Sequence, residues 1–283
     1  MIHVDCDYPI GQDIEFLLEA EKIGINDLSE RTGISPAALD SALNRGQARD
    51  DVCEKFYAYA YKNKYRLNAV KNEIRKEQYG NVLFHGSKEG LSVITAEGSR
   101  ENCDFGKGFY LGESYSQALS FVVENVKSSV YSFRYSLDGL TLKKFDCNLE
   151  WMLAICYYRR KLKNYASNQM IRDILREVDN ADVIIAPIAD NRMFHIMTQF
   201  SEGEINADVA LHSLSASGLG SQYVFRTDRA LDNLIPIERY YLSDPERNDC
   251  EELLRERSNE IDTKLKLAKR EFKTGLYIEE LLQ

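Results

Sequence analysis

The 283-residue sequence has no apolar run long enough to span a bilayer. Its first residues, MIHVDCDYPIGQD, carry acids where a secretion signal needs bases. No membrane partner is expected, and the chain reads as cytoplasmic. It also lacks a CxxC pair. Cys6, Cys53, Cys103, Cys147, Cys156 and Cys250 are scattered, a pattern that fits reduced thiols better than a disulfide framework or a zinc site. The four histidines stand at no ligand spacing from one another, the cysteines or the acids, so no metal is expected. There is no GxSxG elbow, no Walker loop, no internal repeat and no low-complexity linker. Basic charge is in deficit as well. With 36 Lys and Arg against 45 Asp and Glu, the net charge of −9 argues against a broad nucleic-acid surface.

Apolar residues make up 44% of the chain, enough for a globular core. Residues 1–79 read as a small all-helical module. IGQDIEFLLEAEKIG has helical spacing, NDLSERTG ends at Gly33, and SPAALDSALNRG has Ser35 as cap, Pro36 in the first turn and Gly46 as stop. DDVCEKFYAYAYKNKY supplies a further helix. Short helix, tight turn and short helix resemble a phage-repressor helix-turn-helix, with Ser35–Asn44 as the recognition helix. Yet residues 1–64 hold twelve acids against seven bases, and the helix offers Asp40, Ser41 and Asn44. Phosphate contacts from Lys and Arg dominate DNA affinity, so charge disfavours DNA binding by residues 10–65 and favours docking to a protein.

Residues 80–242 change texture. NVLFHGS, GKGFYLG, VYSFRYSL, LTLKKFD, ADVIIAPIA and QYVFRT read as strands. SYSQALSFVVENVK, LEWMLAICYYRRKLK, SNQMIRDILREVD, RMFHIMTQFSEG and EINADVALHSLS read as helices. The mixture lacks a βαβ repeat, which points to an α+β fold. Residues 243–283 read as a charged C-terminal helix with an apolar stripe, fit to pack on the body or to pair with another chain.

Three fragments stand in order: FHGS at 84–87, FGKGFYLGESYSQALSF at 105–121, and SQYVFRTDRALDNLIPI at 221–237. Together they resemble the signature segments of the ADP-ribosyltransferases, in the histidine–tyrosine–glutamate branch of poly(ADP-ribose) polymerases and diphtheria-like toxins. More narrowly, the chain is similar to a bacterial family of PARP-like domains of unknown function, whose genes often sit beside a small antitoxin-like gene. The resemblance covers about residues 80–240. It implies a split β-sandwich with surrounding helices, NAD as substrate, and a toxin or phage-defence role with a macromolecular acceptor. By this resemblance His85 meets the adenosine ribose, Ser87 a neighbouring ribose hydroxyl, and the Gly86 backbone the nicotinamide carboxamide. Tyr110 and Phe121 match the pair that sandwiches the nicotinamide ring, beside Phe109, with Gly106 and Gly108 allowing close backbone approach.

Two positions depart from the pattern. Gln222 stands where the family carries glutamate; it keeps a hydrogen bond but not the charge, which weakens stabilisation of an oxocarbenium-like transition state and disfavours polymer formation. Ala118 stands where polymerases often place a serine, with Ser116 or Ser120 as replacements. Glu113 and Glu204 are conceivable substitutes for the missing acid. The acceptor loop LHSLSASGLGS, residues 211–221, is rich in serine and glycine, and its mobility is expected. Two functions follow. One is a mono-ADP-ribosyltransferase with accompanying NAD hydrolysis, its catalytic set His85, Tyr110 and Gln222. The other is a non-catalytic NAD or ADP-ribose sensor whose helical module contacts a partner or DNA.

Overall fold

The computed structural model describes residues 2–215 and 220–283. The N-terminal third is helical: α1 (Ile10–Glu21), α2 (Ile25–Thr32), α3 (Pro36–Arg45), α4 (Asp50–Lys62) and α5 (Leu67–Tyr79) follow a two-residue strand β1 (Ile2–His3). The capping signals act as expected from the sequence. Ser35 Oγ accepts the Ala38 amide, Pro36 opens α3, and Gly33 and Gly46 close α2 and α3 with φ of 67° and 68°. Ile10, Ile14, Leu17, Leu39, Val52 and Phe56 fill the core of this bundle.

The remainder is α+β. In chain order come β2 (Val82–Ser87), β3 (Val93–Ile94), β4 (Phe109–Gly112), α6 (Tyr115–Ser120), β5 (Ser129–Tyr135), β6 (Leu142–Lys144), α7 (Leu149–Tyr158) and α8 (Gln169–Asp179). Then follow β7 (Val183–Pro187), α9 (Asn191–Ser201), α10 (Ala207–Ser215), β8 (Ser221–Phe225), α11 (Asp228–Leu231), β9 (Leu234–Tyr241), α12 (Asp244–Glu271) and α13 (Ile278–Leu281). Among the described residues seven strands form one mixed sheet in the order β6-β7-β8-β4-β2-β5-β9, and β1 pairs with β3 apart from it. Trp151, Met152, Ile155, Ile174, Met197 and Phe200 bury one face under α7–α10. Phe109, Phe133, Val183 and Phe225 pack the other.

The joint between β4 and β2 decides where a cleft opens. β2 keeps six registered pairs with β5, and β4 keeps four with β8. Between β2 and β4 only Phe84 and Gly112 are in register. Beyond that pair the two strands part, so the sheet is two well-paired halves joined at one point.

Three differences from the sequence reading bear on the cleft and its frame; elsewhere, the single helix expected over 243–283 ends at Glu271 and α13 follows separately. The helix expected over 114–127 stops at Ser120, where Phe121 caps it; Val122 and Val123 then turn inward against β2 and Val130. α5 falls within the stretch read as all-helical, but apolar spacing does not mark it as a helix of its own, because the face it buries is largely polar: Asn68 and Asn72 point in beside Leu67 while Val70 and Ile74 are exposed. β9 contains Pro236, which argues against an interior strand; it lies on the sheet edge, beside a register shift opposite Ser132 and Phe133.

α12 packs on the body. Its Arg247 donates to the carbonyls of Val126 and Leu242, and Ile261, Leu265 and Ala268 join the core under α9 and α10. Polar contacts tie the helical module to this frame. Lys71 Nζ lies 2.7 Å from Asp13 and 3.2 Å from Glu238, and Arg75 Nε donates to Glu238 at 2.8 Å. Tyr61 donates to Asp249 at 2.9 Å, and within the module Tyr57 donates to Asp13 at 2.6 Å. The solvent side of α3 carries Ala37, Asp40, Asn44 and Arg45. Among the described residues no helix is long and apolar enough to cross a membrane, and no group of three or more His, Cys, Asp or Glu is placed to hold a metal.

Candidate active site

A cavity of about 620 Å³ lies where β2 and β4 part. His85, Gly86 and Ser87 reach it from β2, Gly108 from just before β4, Phe109 and Tyr110 from β4, Phe121 from the end of α6, and Gln222 from β8. Strand alternation sends the His85 and Tyr110 side chains to opposite faces of the sheet, and the parted strands let one cavity touch both.

His85 spans the gap. Its Nδ1 is 2.8 Å from the Tyr110 carbonyl, and the ring stacks on Phe109 with centroids 4.4 Å apart. A carbonyl only accepts, so Nδ1 carries the proton and Nε2 is left as the acceptor. Burial pushes the imidazole below its ordinary pKa, outweighing the hydrogen bond to the carbonyl, so the ring is neutral at pH 7.

Tyr110 is pinned by its phenol. The hydroxyl donates to the Gly106 carbonyl at 2.7 Å and accepts the Phe105 amide at 3.1 Å. Burial, and next the Asp104 charge, raise its pKa well above the ordinary value, so it stays protonated. The residue also lines the cavity. Phe121, 55% exposed, stands at the mouth. Ser87 Oγ donates to the Gly90 carbonyl at 2.5 Å and retains only acceptor capacity.

The glycines have packing reasons. A Cβ on Gly86 would lie 2.4 Å from the Ala118 carbonyl oxygen and 2.9 Å from Val122, so α6 sits directly on it. One on Gly108 would meet Val224 at 2.5 Å. Gly106 does not line the cavity. It turns the chain with φ of 74° under the Tyr158 ring, and its carbonyl anchors Tyr110. Its expected place against a ligand is therefore corrected.

Gln222 is buried, and its amide is fully specified. Nε2 is 2.9 Å from Asp104 Oδ2 and 3.1 Å from the Pro187 carbonyl. Both neighbours accept only, so the nitrogen must face them and Oε1 is the free atom. Asp104 is held by Arg159, whose Nε and a second guanidinium nitrogen approach Oδ1 at 2.7 and 2.5 Å. Arg159 also donates to the Ala189 carbonyl and lies 4.1 Å over the Phe194 ring. Asp104, Arg159 and Phe194 line the cavity and were not picked out from the sequence. Asp104 immediately precedes the motif FGKGFYLGESYSQALSF, which was its one available signal; Arg159, within YYRRKLK, had none.

Neither conceivable substitute acid reaches the site. Glu113 accepts the Ser221 amide at 3.0 Å and the Tyr223 hydroxyl at 3.3 Å, and Glu204 is exposed on the turn between α9 and α10. Ala118 lines the cavity, whereas Ser116 and Ser120 do not; Ser120 instead donates to Gln117. The expected acceptor loop, 211–221, includes residues 216–219, which lie outside the described residues.

The family described as "Protein of unknown function (DUF3990)" matches residues 81–235, more than half of the sequence and the whole of the cavity's polar lining named above. The chain belongs to that family. No curated protein and no solved structure matches it.

Proposed function

We propose that the chain is an NAD-dependent mono-ADP-ribosyltransferase of the histidine–tyrosine–glutamine kind, acting as a bacterial toxin or phage-defence effector on a macromolecular acceptor. The observation that carries this reading is convergence. Three segments far apart in sequence supply His85, Tyr110 and Gln222 to one cavity of about 620 Å³, within the range of small-molecule sites. A sheet whose halves meet at a single register pair also accords with the split sandwich that the resemblance implies.

In this reading His85 Nε2 and Gln222 Oε1 accept ribose hydroxyls, while the Tyr110 and Phe121 rings hold the nicotinamide. The bond between nicotinamide nitrogen and ribose C1′ breaks, and nicotinamide leaves with the bonding pair. An acceptor nucleophile, or water, attacks C1′ and loses its proton. A neutral Gln222 favours one transfer over polymer growth. A small antitoxin-like protein is the partner this family resemblance implies.

The test is nicotinamide release and transfer of labelled ADP-ribose from NAD in a cell lysate. Both are expected with the wild type and absent with His85→Ala or Tyr110→Ala; labelling that survives both substitutions removes the site. The second reading, a non-catalytic NAD or ADP-ribose sensor, draws on the way protein partners already hold the Tyr110 hydroxyl and the Gln222 amide hydrogens. It requires NAD binding without nicotinamide release.

A further inference from the structure

We propose that Asp104, clamped by Arg159, is a positioning residue that fixes the Gln222 amide with its oxygen toward the cleft, so that the two side chains work as one acceptor in place of a glutamate. The inference rests on the NAD reading for its catalytic meaning, but the orientation stands on geometry alone. An amide in a pocket can present either end. Here one end is decided: Asp104 Oδ2 and the Pro187 carbonyl both take hydrogens from Nε2. Asp104 in turn cannot rotate away, because two guanidinium nitrogens hold Oδ1. A carboxylate that accepts from one end of an amide draws its N–H bond toward itself and leaves Oε1 the stronger acceptor, the usual polarisation along a buried hydrogen-bond chain. The negative charge thus sits one residue back from the cleft rather than in it.

This arrangement reverses the naive expectation for Gln222→Glu. A glutamate would set a second carboxylate against Asp104 and the Pro187 carbonyl, where two acceptors meet with no proton between them. It also predicts what Asp104→Asn does. Arg159 has no acceptor and takes the Asn oxygen, the Asn nitrogen turns to Gln222, and the Gln222 amide inverts, presenting a donor to the cleft. The double substitution restores the match at residue 104, although the introduced carboxylate still meets the Pro187 carbonyl that took a hydrogen from Gln222. In D104N/Q222E the Asn nitrogen donates to one oxygen of the introduced carboxylate, and the other oxygen faces the cleft. The Pro187 carbonyl keeps its bond from Trp151 Nε1 at 3.1 Å throughout.

The experiment compares wild type, D104N, Q222E and D104N/Q222E in the full chain. In NAD turnover, each single variant is expected to lose roughly tenfold or more in kcat/KM, and the double variant to recover part of that loss and exceed both singles. Q222E should also gain activity in acid, where one proton is shared by the two carboxylates, a limb absent from the wild-type pH profile. Wild-type turnover in D104N, or a double variant no better than either single, overturns the proposal. Should the wild type turn over no NAD, the functional reading fails separately, and melting of the unliganded protein decides the orientation. Q222E is then expected to melt below wild type at pH 8, with the gap narrowing towards pH 5 and smaller in the double variant. Equal melting of Q222E and wild type at both pH values overturns it.

Discussion

Gly86→Ala separates two explanations for a glycine beside a ligand cleft. One holds that the backbone must approach a carboxamide; the other, that α6 must approach the backbone. The structure supports the second directly, since an added Cβ falls 2.4 Å from the Ala118 carbonyl oxygen and 2.9 and 3.2 Å from the two Val122 methyls. Real Cβ contacts essentially never fall under 3.0 Å, so α6 must retreat by more than half an ångström. It has little room, because Ala118 and Val122 are nearly fully buried against Phe84 and Val130. Forcing a methyl into a filled interior costs about 1–3 kcal/mol. The loss should appear in urea unfolding of the protein without any ligand, as a lower midpoint at unchanged slope. Gly98→Ala is the control: it also lines the cleft, but its Cβ meets only Thr95 at 3.4 Å, so stability should hardly move. Wild-type stability in Gly86→Ala, with NAD binding lost, would refute the packing argument and return the glycine to the ligand.

Removing the Tyr110 hydroxyl with Tyr110→Phe strands the Phe105 amide and the Gly106 carbonyl, at a cost of about 1–3 kcal/mol read by the same unfolding assay. Lys71→Ala leaves the Asp13 and Glu238 carboxylates buried without their shared cation, and roughly 3–5 kcal/mol of stability should go with it. The Glu246 carboxyl is pushed up to about 7, chiefly by burial, against the hydrogen bonds from Tyr115 and Asn68. The folded state therefore holds that proton more tightly than the unfolded chain. Stability from this group is full below the unfolded value near 4.5 and is lost as pH rises to about 7. Thermal melts between pH 4.5 and 8 should show a slope that Glu246→Gln flattens; an unchanged slope contradicts the assignment.

Much of the cleft was legible because its residues come from short motifs whose order survives without coordinates. FHGS, GKGFYLG and SQYVF each became a strand; the glycines and aromatics of the first two, Gly106 excepted, and Gln222 of the third fell in one cavity. What could not be read was interaction between distant segments. Asp104 and Arg159 are 55 residues apart, and nothing local marks them as partners. The purpose of Gly86 depended on where α6 would land, which a strand motif does not carry. α5 was hidden by inversion: apolar Val70 and Ile74 face water, while Lys71, Asn68 and Arg75 make the buried contacts that hold the helical module to β9 and α12. Periodicity assumes an apolar inner face and misses a polar one. Pro236 hid β9 for a related reason, since a proline argues against a strand unless that strand is known to lie on an edge.

The central claim is that the opening between β2 and β4 holds NAD. Calorimetric titration of NAD into the wild-type protein and into His85→Ala, with matched circular dichroism and melting, addresses it before any acceptor is identified. The account predicts saturable one-site binding by the wild type and loss of that heat in a His85→Ala protein that remains folded. Absence of binding by the wild type, or equal binding by both proteins, contradicts it.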